Sequence, residues 1–361
     1  MSDLVRPGIR QMPAYEPILP LDVLSEQLGR PADQIVKLDA NENPFGPLPT
    51  VGEVLARLDQ VHVYPDPESR HLRRALGQYH DLAAETILAG AGADELIDLI
   101  MRLVIEPGDT IVNCPPTFGM YAFDADINAA RTVNVPRRAD WSLDVDAIEE
   151  AVGAHRPKLL FVATPNNPDG GVLTKPALSR LLRLPLLVVV DEAYVDFAPP
   201  GSSFIRLVAE HDNLIVLRTF SKWAGLAGLR VGYGVFPAAL MPHLWKIKQP
   251  YNVSVAAQAA ARASLEGTDE LERRSERIVA ERLRLAEELA TIPWLVPYPS
   301  KANFILCRVR RRSAAALKQQ LAADGILIRY FDKDGLRDHI RISVGTVAQN
   351  DRLLERLLEV S

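Results

Sequence analysis

Only two cysteines, Cys114 and Cys307, occur in 361 residues. They are too few and too far apart in sequence for a disulfide framework, which excludes a stapled secreted scaffold. The seven histidines show no paired ligand spacing, so no His-based metal site is expected. Long apolar runs are missing as well. The longest, Leu184 to Val190, is broken by Pro185 and falls far short of the ~20 residues a membrane helix needs. Pro7, Pro13, Pro17 and Pro20 interrupt the first residues, leaving no apolar signal core there. An excess of one charge is absent too: 41 Lys and Arg against 46 Asp and Glu give −5, too small a bias for a polyanion-binding surface. No Gly-Lys-Ser/Thr tripeptide is present, which removes the phosphate loop of a nucleotide triphosphatase. With 48% hydrophobic and 24% charged residues, the chain has an ordinary globular composition and can bury a large core. These features predict a cytoplasmic, two-domain protein that acts on small molecules.

Residues 1–36 are polar and dotted with proline, which predicts an arm lying over other elements and not part of a sheet. From about residue 85, short apolar runs alternate with helix-length amphipathic segments. Strands are expected at Ile87–Ala89, Thr110–Val112, Thr132–Val135, Leu159–Ala163, Leu186–Val190, Leu214–Leu217 and Val231–Val235. This alternation predicts an α/β unit over 37–253 with a largely parallel sheet covered on both faces. After Pro250 the pattern changes. A helix from Ser254, a long charged helix over Asp269–Ala290, strands near 303–309, 327–330 and 339–344, and a closing helix predict a smaller α+β unit over 254–361.

Three segments stand at expected carboxyl ends of strands, where α/β proteins bind ligands. Gly90-Ala91-Gly92-Ala93-Asp94-Glu95 runs from strand to turn to helix. Small residues there admit a close backbone approach, and the helix start offers free N–H groups to a phosphate. The same segment also reads as a plain strand–helix turn. Asp191-Glu192-Ala193-Tyr194 follows the most apolar strand. A carboxylate there either faces a cationic ring nitrogen or is a capping or salt-bridged acid. Arg218-Thr219-Phe220-Ser221-Lys222 leads on to Arg230. Lys222 among apolar neighbours is suited to act as an amine nucleophile or proton shuttle, and Ser221 and Arg230 suit phosphate oxygens.

Together the three segments meet the needs of a phosphorylated, aldehyde-bearing pyridine cofactor. The chain resembles the aspartate aminotransferase superfamily of fold type I pyridoxal-phosphate enzymes, and within it the histidinol-phosphate aminotransferase family. The resemblance rests on Leu38-Asp39-Ala40-Asn41-Glu42-Asn43-Pro44, Tyr64-Pro65-Asp66, Pro116-Thr117-Phe118 with Met120-Tyr121, and Asn166-Asn167-Pro168. It continues through Asp191–Tyr194, Ser221-Lys222, Gly225–Tyr233, Pro250–Ser254 and Arg341–Thr346. It implies a large domain with a mostly parallel seven-stranded sheet sandwiched by helices, plus a smaller α+β domain, and transamination between L-histidinol phosphate and 2-oxoglutarate.

Carried onto this sequence, the resemblance implies that Lys222 holds pyridoxal 5'-phosphate as a Schiff base and moves a proton. Asp191 would pair with the ring nitrogen, Asn167 and Tyr194 would bond the ring oxygen, and Phe118 would stack on the ring. The backbone N–H groups of Ala93 and Asp94, with Ser221 and Arg230, would hold the cofactor phosphate. Tyr64 would reach that phosphate from the other subunit of a homodimer. Arg341 would bind the α-carboxylate of glutamate or 2-oxoglutarate, Arg329 and Tyr15 the substrate phosphate, and Asn43 would join the substrate site.

Some residues depart from the family pattern. Asp169 stands where threonine is usual after Asn-Asn-Pro, and little effect on chemistry is expected of it. Phe118 replaces a frequent tyrosine, and Ile18 a frequent glycine in the arm. Trp223 and Tyr251 are expected to be packing residues. The alternatives carried by the same motifs are a broad aromatic aminotransferase, a phosphothreonine decarboxylase and a cofactor-binding regulator. The last would need a DNA-binding module for which the 36-residue arm is too short.

Overall fold

The computed structural model describes residues 4–12 and 19–360. Its strands are β1 (Val36–Leu38), β2 (Ile87–Gly90), β3 (Thr110–Asn113), β4 (Arg131–Asn134), β5 (Leu159–Ala163) and β6 (Leu187–Asp191). They continue with β7 (Leu214–Thr219), β8 (Gly232–Val235), β9 (Leu295–Pro297), β10 (Phe304–Val309), β11 (Ile326–Tyr330) and β12 (His339–Ser343). Seven form one sheet in the order β2-β8-β7-β6-β5-β3-β4. β8 runs antiparallel to both of its neighbours, and the other pairings are parallel. This is the mostly parallel seven-stranded sheet that the resemblance implies.

The absence of polar alternation in β5 and β6 follows from burial on both faces. Val188 and Val190 pack into one core with Leu160 and Val162, while Val189 packs into the other with Leu159 and Phe161. The same two-residue period turns Asp191, at the end of β6, toward the face that holds Tyr121. Glu192 points the other way, where Arg218 Nη1 approaches it at 3.3 Å.

The second sheet has the order β1-β11-β12-β10-β9. Its core gathers Leu285 and Leu289 of the long helix Thr268–Ala290, Leu317 and Leu321 of Ala314–Ala323, and Leu353 and Leu357 of Val347–Glu359. Helix starts follow the sequence signals. Asp144, Ser254 and Ser313 accept cap bonds, and Thr346 forms a capping box with Gln349.

The arm departs from expectation at its end. Val36–Leu38 pairs in parallel with Ile326–Ile328, so this strand crosses the 36/37 boundary and edges the smaller sheet. Three residues with one buried pair are too short for a periodicity signal, and pairing alone makes them a strand. The helices Pro49–Ala56, Arg70–His80, Met120–Ile127, Lys175–Leu181 and Met241–Ile247 and the strand β9 complete the layers. Among the described residues, no helix is long and apolar enough to cross a membrane.

Candidate active site

The carboxyl ends of the parallel strands, and the start of the reversed strand β8, meet at one edge of the large sheet. Gly232 lies opposite both Gly90 and Thr219 there. A Cβ at Gly232 would stand 2.7 Å from the Ala93 nitrogen, so the close approach of strand and helix start requires glycine. The helix Ala93–Val104 begins at this point. Its N-terminus, Thr219, Ser221 and Arg230 form a cup at one end of a cavity of about 150 Å³. Gly92 has φ +85°, and a Cβ there would lie 2.5 Å from Arg230 Nη2, so glycine also makes room for the guanidinium.

Arg230 Nη2 donates to Asp94 Oδ2 at 3.1 Å, and its Nη1 reaches Ser221 Oγ at 3.5 Å. Cation, hydroxyls and helix N-terminus make a phosphate cup at this end.

Asp191 also lines this cavity and is only 5% exposed. The Tyr121 hydroxyl donates to its Oδ2 at 2.7 Å and the Ala193 N–H to its Oδ1 at 3.0 Å. Among the described residues no cation forms an ion pair with it, and burial pushes its carboxyl up to about 6 against the opposing pull of these bonds. A buried carboxylate without a countercharge is costly and fits a cationic ring nitrogen in the cavity. Phe118, Asn167 and Tyr194 line the same cavity with Lys222. The residues present therefore fit a phosphorylated pyridinium.

Lys222 Nζ donates to the Ala40 carbonyl at 3.2 Å and lies 5.8 Å from the Tyr194 ring centroid. Phe118, Asn167, Tyr194 and Lys222 also border a second, larger cavity of about 950 Å³. Arg329 and Arg341 open onto it from the smaller sheet, directly opposite each other in the register of β11 and β12. Like charges at opposed positions destabilise a sheet unless something neutralises them. Arg341 is 4% exposed; its Nη1 donates to Asn167 Oδ1 at 2.6 Å and its Nη2 to the Asp39 carbonyl at 2.8 Å. Its Nε has no hydrogen-bond partner among the described residues. Burial, with the like charge of Arg329 adding to it, pushes the guanidinium down to about 10. Among the described residues neither arginine forms an ion pair. The larger cavity thus presents two unneutralised cations side by side.

Most of the residues expected from the sequence converge here: Lys222, Asp191, Tyr194, Asn167, Phe118, Ser221, Arg230, Ala93, Asp94, Arg329 and Arg341. Asn43 does not. Its Nδ2 donates to the carbonyls of Lys222 and Trp223 at 3.1 and 2.8 Å, and its Oδ1 accepts the Phe45 N–H. The amide is spent on holding the lysine loop, so it faces neither cavity. Tyr64 stands apart as well, 79% exposed and stacked on Tyr251 at 4.5 Å. Tyr15 lies outside the described residues. Trp223 is a packing residue, 2% exposed, whereas Tyr251 is 44% exposed against Tyr64.

Three contributors lacked a strong sequence signal. Tyr121 anchors Asp191, Asn41 bonds the Tyr194 hydroxyl at 3.1 Å, and Thr219 joins the phosphate cup. Asn41 and Tyr121 lie inside stretches that carry the resemblance, and Thr219 in the Lys222 segment, but nothing local to any of them marks its partner. Asp169 is off the ligand surface, as expected, yet 2% exposed. It accepts the Gly171 N–H at 2.7 Å and a short bond from Asn166 Nδ2, and so secures the Asn167 turn.

Comparison with known proteins agrees with this geometry. The family model for aminotransferase class I and II matches residues 33–357. The chain is 53% identical to a histidinol-phosphate aminotransferase of Roseiflexus castenholzii over 100% of this chain and 99% of that one. It is 52% identical to the chloroplastic histidinol-phosphate aminotransferase 1 of Arabidopsis thaliana, over 99% and 85% of the two chains. The crystal structure of histidinol-phosphate aminotransferase from Sinorhizobium meliloti, in complex with pyridoxal-5'-phosphate, superposes with a TM-score of 0.90. That protein is 31% identical, and the match covers 99% of this chain and 97% of that one.

Proposed function

The chain belongs to the class I and II aminotransferases, and from that premise we propose the reaction, the residue roles and the assembly that follow. It is a pyridoxal-phosphate-dependent aminotransferase that moves the amino group of L-histidinol phosphate to 2-oxoglutarate, giving imidazole-acetol phosphate and L-glutamate, a step of histidine biosynthesis. The observation that carries the substrate is the opposed pair Arg329 and Arg341, neither with an ion-pair partner among the described residues and both lining the cavity beside Lys222. The two amino donors differ at the carbon next to the amine. Glutamate carries a carboxylate there, and histidinol phosphate a phosphorylated hydroxymethyl group. One site must hold each anion in turn, and two adjacent guanidinium groups suit both.

Bound pyridoxal phosphate supplies a ring that takes up the electron pair released when the substrate Cα–H bond breaks. Lys222 Nζ, in the same cavity, would be the base that takes the Cα proton and holds it for return. Asp191, held by Tyr121 and Ala193, keeps the ring nitrogen protonated so that the ring accepts charge. Phe118 and Asn167 would hold the ring from the cavity wall. Ser221, Arg230, Thr219 and the N–H groups of Ala93 and Asp94 grip the phosphate and set the ring's position along the cavity.

The working unit is a homodimer. Tyr64 is exposed and lines neither of its own cavities, and it suits a role in a neighbour's site. Two buried, free thiols fit a reducing compartment, and we place the protein in the cytoplasm.

A side-by-side panel with histidinol phosphate, phenylalanine, tyrosine and O-phosphothreonine tests the substrate. The expected result is the highest kcat/KM on histidinol phosphate. Faster turnover of an aromatic amino acid, or carbon dioxide release from O-phosphothreonine, would sink the assignment.

A further inference from the structure

Asn41 is 1% exposed and has φ 55°, a left-handed backbone that asparagine tolerates better than most residues. Its hydrogen bonds run in one direction through a short chain of groups. A backbone N–H can only donate, so Ser343 Oγ, 2.8 Å from the Asn41 nitrogen, must accept there. The serine's own hydrogen then goes to Asn41 Oδ1 at 2.9 Å. That assignment leaves Nδ2 as the amide atom 3.1 Å from Tyr194 Oη. An amide nitrogen has no lone pair to offer, so the Tyr194 oxygen accepts and its hydrogen is free for another partner. Asn303 Nδ2 clamps the Asn41 carbonyl at 3.0 Å, and Phe304 meets the Tyr194 ring edge-on at 5.0 Å. Both ends of the chain are thereby held, and only the tyrosine O–H is left to turn.

We propose that Asn41, oriented by Ser343, is a positioning residue that directs the Tyr194 hydroxyl hydrogen onto the ring oxygen of bound pyridoxal phosphate. This rests on the cofactor placement proposed above. A donor to that oxygen draws charge from it and weakens its hold on the proton shared with the Lys222-linked nitrogen. The pH at which the bound cofactor changes its visible absorbance is therefore lower than it would be without Asn41. The charged or titratable groups facing Tyr194 are Lys222 over its ring, Arg341 from β12, and Tyr121 from the helix beside Asp191. None of these is altered in the variants below.

The test is a pH titration of the visible absorbance of the cofactor-loaded protein. It compares wild type with Asn41→Leu, which removes the donor, Ser343→Ala, which frees the amide to rotate, and Tyr194→Phe. The midpoint is expected to rise by about one pH unit in Tyr194→Phe and Asn41→Leu, the size expected for one hydrogen bond to a charged acceptor. Ser343→Ala should give a smaller rise, and the Asn41→Leu/Tyr194→Phe double variant no further rise, because both act through one hydrogen. Unmoved midpoints in Asn41→Leu and Ser343→Ala, with Tyr194→Phe shifted, would overturn the proposal. A Tyr194→Phe variant that titrates like wild type would overturn it too, since the hydroxyl would then not touch the ring oxygen. Failure of the wild type to take up the cofactor would instead overturn the reading of the site. If Asn41→Leu does not fold, Ser343→Ala and Tyr194→Phe decide the matter.

Discussion

Replacing Asp191 by asparagine separates what this carboxylate costs the fold from what it gives the chemistry. In the cofactor-free protein the group is buried with no ion-pair partner among the described residues, and its carboxyl is raised from 3.8 to about 6. The folded state then binds more protons than the unfolded state between those values, so ionisation of Asp191 weakens the fold as pH rises through this window. The cost is absent below the unfolded value and complete above the folded one. Two pH units at 1.36 kcal/mol each make about 3 kcal/mol at pH 8, and about half of that at pH 5. Asparagine escapes the cost but forces the Tyr121 hydroxyl to find a new acceptor, a loss of about 1 kcal/mol. The net gain is about 2 kcal/mol; with an unfolding entropy of about 0.8 kcal/mol/K for a chain of this size, that raises Tm by about 3 °C.

Cofactor-free Asp191→Asn should therefore melt higher than wild type at pH 8, and the gap should shrink or vanish at pH 5. With cofactor bound the order should reverse, because the ring nitrogen supplies the missing cation. Turnover should fall by at least about 100-fold, since a neutral amide no longer keeps that nitrogen protonated. Differential scanning calorimetry at the two pH values, with and without cofactor, reads all of this. A variant equally or less stable than wild type by the same margin at both pH values would refute the burial argument.

Other perturbations reach the remaining parts of the site. Arg329→Ala should raise KM for histidinol phosphate by at least about tenfold and for glutamate by less, measured in steady-state kinetics; equal changes would mean that it does not distinguish the phosphate. Lys222→Ala should lose both turnover and the visible absorbance of the bound cofactor, and either one surviving would contradict the Schiff-base role. Subunits carrying Tyr64→Ala and Lys222→Ala, each inactive alone, should regain about a quarter of wild-type activity on 1:1 mixing and reassociation, because one site of each mixed dimer is intact. No recovery in reassociated mixed dimers would place Tyr64 outside the partner's site. Gly92→Ala puts a methyl group where Arg230 Nη2 lies and strains a backbone at φ +85°, so cofactor affinity measured by equilibrium dialysis should drop. Unchanged affinity would remove Arg230 from the phosphate cup.

Much of this molecule was legible in its sequence because the signals are local. A strand buried on both faces, such as β6, is apolar up to its last residue, and that last residue, Asp191, sits at the sheet's ligand-binding edge. Short range also explains why the helix expected from Ser254 does start there, where the serine side chain caps it. Lys222, Asp191, Arg230 and Arg341 were recognisable because each lies inside a compact motif. What the tertiary structure alone decided depends on contacts between residues far apart in the chain. Val36–Leu38 becomes a strand only through pairing with residues near 327. Asn43 and Asn41 are two positions apart in one motif, yet one braces the Lys222 loop and the other bonds Tyr194 and Ser343. Arg329 and Arg341 are twelve residues apart in sequence, and only the register of β11 on β12 sets them face to face. Sequence fixes the period and the capping chemistry of each element, because those act within a few residues. Which side chain meets which is set by packing, where partners separated by up to 318 residues share one hydrogen bond.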